Sequence, residues 1–295
     1  MSSSHAPSPA KSDTPSVRAG TLYSVAISIG HHGDITPRAR EVLASVHAIV
    51  AEDTRRARLL TQALQVSTPI LPVHLRNEQQ ASEQILKRLA QGESLALISD
   101  AGTPAISDPG GCVVRHALEN HYPVVPIPGA CSAIVAWSAS GFTETSFLFY
   151  GFLPSKKQAR CNVLENLKNL THPTIFYEAP HRIQEMLHDM LSVFGNRTAT
   201  VARELTKTYE TIHRNTLEHL NTWAQTDPTV SRGELVVIVE GLSQQTPDQL
   251  PEHALKCLKE MLENNSLVSS VQWLHSLTNL PKDLIYQTAL KLKQD

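Results

Sequence analysis

Along the first half of the chain, short apolar runs alternate with segments in which apolar residues recur every three or four positions. The runs at 22–29, 48–51, 95–98 and 124–127 read as strands, and the segments at 37–45, 78–90, 110–120 and 130–140 read as amphipathic helices. Strands taken in turn with helices predict a parallel α/β sheet. Pro37 suits a first helical turn, where no N–H is needed, with Asp34 or Thr36 as the cap before it, and Gly141 is expected to stop the helix holding 133–139. An aromatic strand at 147–150 then opens a second block, which continues through a strand at 174–177, a helix at 181–191, a strand at 198–202, a turn at Ser231-Arg232-Gly233 and a strand at 235–240. Beyond Gly241 the apolar spacing at 251–262, 269–277 and 282–291 is helical throughout. Its Leu267, Val268, Val271, Trp273 and Leu274 are expected to cover either the second block or a partner subunit. The resulting organisation is a flexible tail at 1–18, an α/β domain at 19–143, a second α/β domain at 144–242 and a helical extension at 243–295, with a working cleft between the two α/β domains.

Composition narrows the function class. The 295 residues, 41% of them hydrophobic, are enough for two ordinary cores and exclude disorder throughout. Four separated cysteines, Cys112, Cys131, Cys161 and Cys257, contain no CxxC pair, which argues against a zinc cluster or a disulfide scaffold and for a reducing cytoplasm. Residues 6–18 carry Pro, Ser and Lys but no apolar stretch, so neither a secretory signal nor a membrane anchor is expected there. A net charge of -2 argues against nonspecific wrapping of long nucleic acid. A local basic excess between Lys156 and Arg214, including Lys157, Arg160, Arg182, Arg203 and Lys207, is either solvated surface or a face for a polyanion.

The candidate chemistry sits where apolar runs end. After 95–98 comes Ser99-Asp100-Ala101-Gly102-Thr103-Pro104-Ala105-Ile106-Ser107-Asp108-Pro109-Gly110, a loop that can present backbone groups to a ligand while its carboxylates stay fixed. Asp100 can orient ligand hydroxyls or loop N–H groups, Gly102 gives backbone access and Thr103 can hydrogen-bond. Asp100 and Asp108 lack the fuller oxygen set that magnesium takes, and no metal site is expected. Gly30, in Ile29-Gly30-His31-His32-Gly33-Asp34, either permits close approach or simply ends a strand. The segment lacks the third glycine of a dinucleotide fingerprint, and the chain has no P-loop Gly-Lys-Ser/Thr there. Glu52-Asp53-Thr54-Arg55 could hold Arg55 beside phosphate or form a helix cap with a surface ion pair. Pro128-Gly129-Ala130-Cys131-Ser132-Ala133 turns into a helix, with Ser132 and Ala133 as candidate wall residues and Cys131 a small buried side chain. In Ala202-Arg203-Glu204-Leu205-Thr206-Lys207, either a phosphate-binding array organised by Glu204 or an i,i+4 pairing fits.

Taken together these motifs resemble the tetrapyrrole methylase superfamily from about Tyr23 to Gly241, and within it the ribosomal RNA 2'-O-ribose methyltransferases. Glu52 to Arg55, the 100–110 loop, Gly151-Phe152-Leu153-Pro154, Phe176-Tyr177-Glu178-Ala179-Pro180-His181-Arg182 and Ala202 to Lys207 carry the likeness. The resemblance implies S-adenosylmethionine held by Gly30, Asp100, Gly102, Thr103, Ile106, Ser132 and Ala133, with Ile106 against the adenosyl group. It implies methyl transfer to a cytidine ribose 2'-hydroxyl of small-subunit ribosomal RNA, naked or in a 30S particle, with Arg55, Glu204 and Lys207 near the reacting atoms and Glu204 or a water taking the proton. A homodimer, a cytoplasmic location and no membrane are implied as well. The chain departs from the pattern at Ile27-Ser28, where Thr-Pro is expected, at His31 for Asn, at Ala57 for Thr and at Arg76 for the second His of His74-Leu75-Arg76-Asn77-Glu78. These departures motivate a noncatalytic RNA-binding homologue as the alternative, with a tetrapyrrole methyltransferase as a further one.

Overall fold

The computed structural model describes residues 17–73, 78–243, 249–278 and 280–293. Most of the predicted tail and positions 74–77, which include Arg76, lie outside them.

Five parallel strands form the first sheet: β1 (Leu22–Val25), β2 (Ala48–Ala51), β3 (Ile70–Pro72), β4 (Leu95–Leu97) and β5 (Val124–Ile127), in the order β3-β2-β4-β1-β5. Their crossovers are α1 (Pro37–Ser45), α2 (Thr54–Ala63), α3 (Glu78–Ala90) and α4 (Gly111–Glu119). The apolar runs are continuous because both faces of the sheet are covered. Tyr23, Ile49, Ala51 and Ala96 enter one core, while Leu22, Ala48, Val50, Leu95 and Leu97 enter the other. Thr36 caps α1, its hydroxyl accepting the Ala39 N–H at 3.1 Å, with Pro37 in the first turn. The predicted strand over 22–29 ends at Val25; residues 26–29 leave the sheet to form the site described below. The helix after β5, α5 (Ser132–Ser138), is shorter than 130–140, and Gly141, at φ +75°, makes the turn beyond it.

The second sheet is mixed, in the order β6-β7-β10-β8-β9, from β6 (Leu148–Phe152), β7 (Thr174–Glu178), β8 (Thr198–Arg203), β9 (Thr211–Thr216) and β10 (Leu235–Val239). β6 and β7 are parallel and joined through α6 (Lys157–Leu167), whereas β10 runs antiparallel to both β7 and β8, and β8 is antiparallel to β9. Leu235, Val237 and Val239 pack with α7 (Ile183–Phe194) and α8 (Leu217–Thr226) on one face. The alternate residues Val236 and Ile238 face Ala133 and Ala136 of α5. A helix of the first half therefore closes the second sheet, and this contact fixes the two halves against each other. Leu217 to Val239 and residues before Gly241 belong to one compact unit.

The second compact unit, residues 242–295, contains α9 (Glu252–Asn264), α10 (Leu267–Thr278) and α11 (Lys282–Leu292). Leu258, Val271, Leu274 and Ile285 form its own core. Of the residues expected to cover a neighbour, Val271 and Leu274 are spent on this internal core, while Val268 and Trp273 remain exposed.

Arg160 departs most sharply from its surface reading. It is 1% exposed, with Nε donating to Asp189 Oδ2 at 2.8 Å, Nη2 to Glu185 at 3.1 Å and Nη1 to the Ser155 carbonyl at 3.2 Å. It is therefore removed from the predicted basic face. Asp189→Ala leaves this guanidinium without its buried partner and is expected to cost about 3 kcal/mol, read as a lowered urea midpoint. Glu185→Ala, on the exposed side of the same cluster, is expected to cost well under half of that; equal losses would contradict the assignment.

Candidate active site

All strands of a parallel sheet end on one edge, so the loops after β1, β2, β4 and β5 converge there. The order of the first sheet reverses around β1, between β4 and β5, which places the crevice at the ends of β1 and β4. The antiparallel pairing of Leu235 with Glu178 and with Arg203 brings the loops at 179–182, 204–210 and 232–234 to one end of the second sheet. The site lies between these two loop sets.

Two adjoining cavities of about 340 Å³ each occupy it. Gly102, Thr103, Ile106 and Ser132 line the first, together with Asp108, Tyr177, Glu178 and Leu205. Gly30, Asp100 and Lys207 line the second, together with Asp53, Arg56, Ala57 and Leu60. Ile29, Ala101 and Glu234 line both and form the partition between them. Three of the expected residues stand behind or outside these walls. Ala133 is buried and offers its N–H, which donates to the Tyr177 hydroxyl at 3.3 Å. Glu204 sits beneath Lys207, and Arg55, 86% exposed, lies at the rim.

The first cavity is held by short local contacts. Thr103 Oγ1 donates to the Ala130 carbonyl at 2.9 Å, tying the loop after β4 to the loop after β5. Ser132 Oγ donates to the Tyr177 hydroxyl at 2.8 Å. Burial pushes the Tyr177 phenol up to about 12, so it stays neutral and serves as a fixed hydrogen-bonding post. Gly102 has φ +73°, and a Cβ there would lie 3.1 Å from Ile29 Cγ2 and 3.3 Å from the Ala130 oxygen. Ile27 N–H donates to the Gly102 carbonyl at 2.9 Å and Gly102 N–H donates to the Ser28 carbonyl at 3.2 Å. Among the described lining residues the charged groups are Asp108, Glu178 and Glu234, so this cavity suits a ligand with positive charge and an apolar body. Burial first, then the charge of Asp100, raises the Asp108 pKa.

The polar array of the second half is a turn. Glu204 and Thr206 take left-handed backbone, at φ +52° and +64°, immediately after β8. Lys207 Nζ donates to Glu204 Oε1 at 2.8 Å and to Glu234 Oε2 at 3.0 Å, and Glu204 Oε1 also accepts the Glu234 N–H at 2.9 Å. Burial works to raise the Glu204 pKa, but the Lys207 and Glu234 N–H donors and the Lys207 and Arg203 charges outweigh it, and the net shift is downward. Burial likewise works against charge on Lys207, and its two carboxylates prevail, raising its pKa. The pair is thus an ammonium anchored on a weakly basic carboxylate. Arg203, one of the predicted basic residues, is nearly buried, with Nε donating to Thr211 at 3.3 Å. Arg182 is turned inward as well, donating to the Leu153 carbonyl at 2.7 Å and pairing with Glu178.

Across the partition, Asp53 takes the cap-and-ion-pair role: its Oδ1 accepts the Arg55 N–H at 2.8 Å and its carboxylate faces the Arg55 guanidinium at 3.4 Å. Asp100 Oδ1 accepts the Asp53 N–H at 3.3 Å, and Oδ2 lies 3.3 Å from Arg56 Nη1. Sequence reasoning missed Asp108 as a lining group, along with Arg56, Tyr177 and Glu234. The desolvated Asp-Pro-Gly ending of the long loop was the available signal for Asp108. Among the described residues no group of three or more His, Cys, Asp and Glu side chains is arranged to hold a metal.

An α/β core with a crevice at the carboxyl ends of its strands, facing a mixed sheet, defines a class of ligand-binding enzyme folds. The chain belongs to the tetrapyrrole (corrin/porphyrin) methylases, whose family description matches residues 21–221. It is 44% identical over 273 residues to the Haemophilus influenzae protein "Ribosomal RNA small subunit methyltransferase I", covering 92% of this chain and 96% of that one. To the Pseudomonas aeruginosa protein of the same name it is 43% identical over 275 residues, covering 92% and 98%. Among solved structures, a diphthine synthase shares the fold with a TM-score of 0.57 at 14% identity, over 81% of this chain and 95% of that one.

Proposed function

We propose that this protein transfers a methyl group from S-adenosylmethionine to the ribose 2'-hydroxyl of a cytidine in small-subunit ribosomal RNA. The observation that carries the reading is the pair of adjoining cavities, one acidic and apolar, the other bearing an anchored ammonium, in a chain whose relatives across nearly its whole length are small-subunit ribosomal RNA methyltransferases. The first cavity fits the cofactor: the Gly102 cradle would be filled by a Cβ, Ile29, Ile106 and Leu205 supply apolar walls, and the carboxylates suit a sulfonium. Gly102, Thr103, Ile106 and Ser132 would hold it, with Ala133 acting through its N–H on Tyr177, whereas Gly30 and Asp100 line the neighbouring cavity instead. When bound, S-adenosylmethionine supplies a methyl carbon whose bond to sulfur breaks as the ribose oxygen attacks, leaving S-adenosylhomocysteine.

The remaining work falls to the chain. Lys207, kept protonated by Glu204 and Glu234, stabilises negative charge growing on the ribose oxygen. Glu204 is the positioning group for Lys207, because its pKa is lowered and its oxygen already accepts two hydrogen bonds. Asp108 lines the first cavity together with Glu234, which the two cavities share, and with its raised pKa it is the carboxylate we assign to take the hydroxyl proton. Arg55 at the rim meets phosphate. A 30S particle is the substrate and the cytoplasm the location; among the described residues no helix is long and apolar enough to cross a membrane. A homodimer accords with the exposed Val268, Trp273 and Leu277 of α10, and sedimentation across protein concentration is expected to show it; a monomer at every concentration would remove it.

Incubation with labelled S-adenosylmethionine and unmodified 30S particles, followed by mass spectrometry of RNA fragments, is expected to yield 2'-O-methylcytidine. Lys207→Ala is expected to slow labelling roughly a hundredfold. Label confined to a base would contradict ribose chemistry. No label with retained RNA affinity and no cofactor binding would select the noncatalytic alternative, and label on a tetrapyrrole instead of RNA the other.

Proton acceptance by Asp108 requires its ionised form, so the methylation rate is expected to fall as pH drops through a pKa raised from that of a free aspartate by burial and the Asp100 charge. Asp108→Asn is expected to slow the reaction and to remove that acid limb. An acid limb unchanged in the variant would assign the proton to another group.

A further inference from the structure

The second cavity contains a paired donor and acceptor that the methyl-transfer step itself does not use. Arg56, in the first turn of α2, and Asp100, in the loop after β4, lie 3.3 Å apart in a cavity whose apolar lining includes Ala57, Leu60 and Ile98. A carboxylate only accepts hydrogen bonds and a guanidinium only donates them. Asp100 is oriented by the Asp53 N–H on its other oxygen, and Arg56, 63% exposed, has five N–H donors of which the contact with Asp100 engages few. The cavity therefore presents an acceptor beside a donor together with apolar side chains, next to the residues it shares with the methyl-donor cavity.

We propose that the Arg56–Asp100 pair reads the base of the target nucleoside, extruded into the second cavity, by its donor–acceptor pattern; this rests on the RNA methylation reading above. Cytosine offers an amino donor next to an unprotonated ring nitrogen, which meets carboxylate and guanidinium in turn. Uracil, nearly the same in size, offers a carbonyl next to a ring N–H, so acceptor faces acceptor and donor faces donor. Adenine shares the cytosine pattern on its pairing edge, which makes adenosine a closer competitor than uridine. Extrusion is costly, and the apolar lining at Leu60 with the exposed Leu59 supplies a surface for the unstacked base. The pair thus selects the nucleotide, while Lys207, which lines the same cavity, acts at its ribose.

The test uses the full chain and 30S particles carrying cytidine, uridine or adenosine at the position mapped by mass spectrometry. Wild type is expected to favour cytidine over uridine by roughly tenfold to a hundredfold in kcat/KM, with adenosine between them. In Asp100→Asn the carboxamide can present either an oxygen or an N–H, and the cytidine-to-uridine ratio is expected to fall to within about threefold. Arg56→Gln is expected to lower the same ratio and serves if Asp100→Asn does not fold. A variant that slows both RNAs equally while keeping the wild-type ratio would make the pair a brace between loops and overturn the inference. Equal rates on cytidine and uridine by wild type would overturn it while leaving ribose methylation standing, whereas no methylation of any particle would remove both.

Discussion

The site depends on how closely the loop after β1 approaches the turn after β8. A Cβ on Gly30 would lie 2.5 Å from Lys207 Cγ, 2.7 Å from Thr206 Oγ1 and 3.1 Å from the Leu205 carbonyl, so only glycine permits this seating without displacement. The His31 N–H donates to Thr206 Oγ1 at 3.1 Å and joins the loops next to that contact. The approach sets Lys207 beside Asp53 and Asp100 in one cavity, although these residues come from different sheets. It depends in turn on α5, whose Ala133 and Ala136 lie against the second sheet at Val236 and Ile238. Small residues on that helix allow close packing of the halves, and the close packing brings the loops together.

Two carboxylates in this small region have opposed electrostatic outcomes. Glu204 is less basic than a free carboxylate because it is hydrogen-bonded by an ammonium and an amide, whereas Asp108 is more basic because it is desolvated and faces Asp100. Gly233 makes the first arrangement possible: it has φ +83°, and a Cβ on it would lie 2.4 Å from Glu204 Cδ. The turn before β10 thus presses the Glu204 side chain toward Lys207 while its own Glu234 completes the clamp. Opposed shifts in neighbouring acids separate a group that holds charge from one that exchanges a proton.

The parallel sheet was readable because strands buried on both faces carry unbroken apolar runs, as at Ala48–Ala51 and Leu95–Leu97. β9 was not: Thr211–Thr216 is a polar edge strand whose only sheet neighbour is β8, so neither face imposes an apolar period. α2 was hidden by its own composition, since three arginines and few buried positions follow the Glu52-Asp53 pair and read as chemistry before they read as a helix. In the site, loop glycines and the Glu204–Lys207 turn were visible as local patterns. The fate of Arg160 was not, because its partner Asp189 lies 29 positions away and nothing near Arg160 in the sequence announces burial.

Among the described residues, the departures at Ile27-Ser28, His31 and Ala57 can be followed into local contacts. Ser28 lacks the proline expected to stiffen its turn, and the paired backbone bonds between Ile27, Ser28 and Gly102 hold the turn from outside. His31, where asparagine is expected, accepts the Gly33 N–H on Nδ1 at 3.0 Å and so caps the short helical turn at His32–Asp34. Ala57 is 4% exposed and contributes to the lining of the second cavity, where a threonine hydroxyl would have added a polar group. The Gly30 approach, the Gly102 cradle and the Lys207 clamp stand in the same molecule as these changes, so the contacts that shape the two cavities do not depend on the side chains that differ.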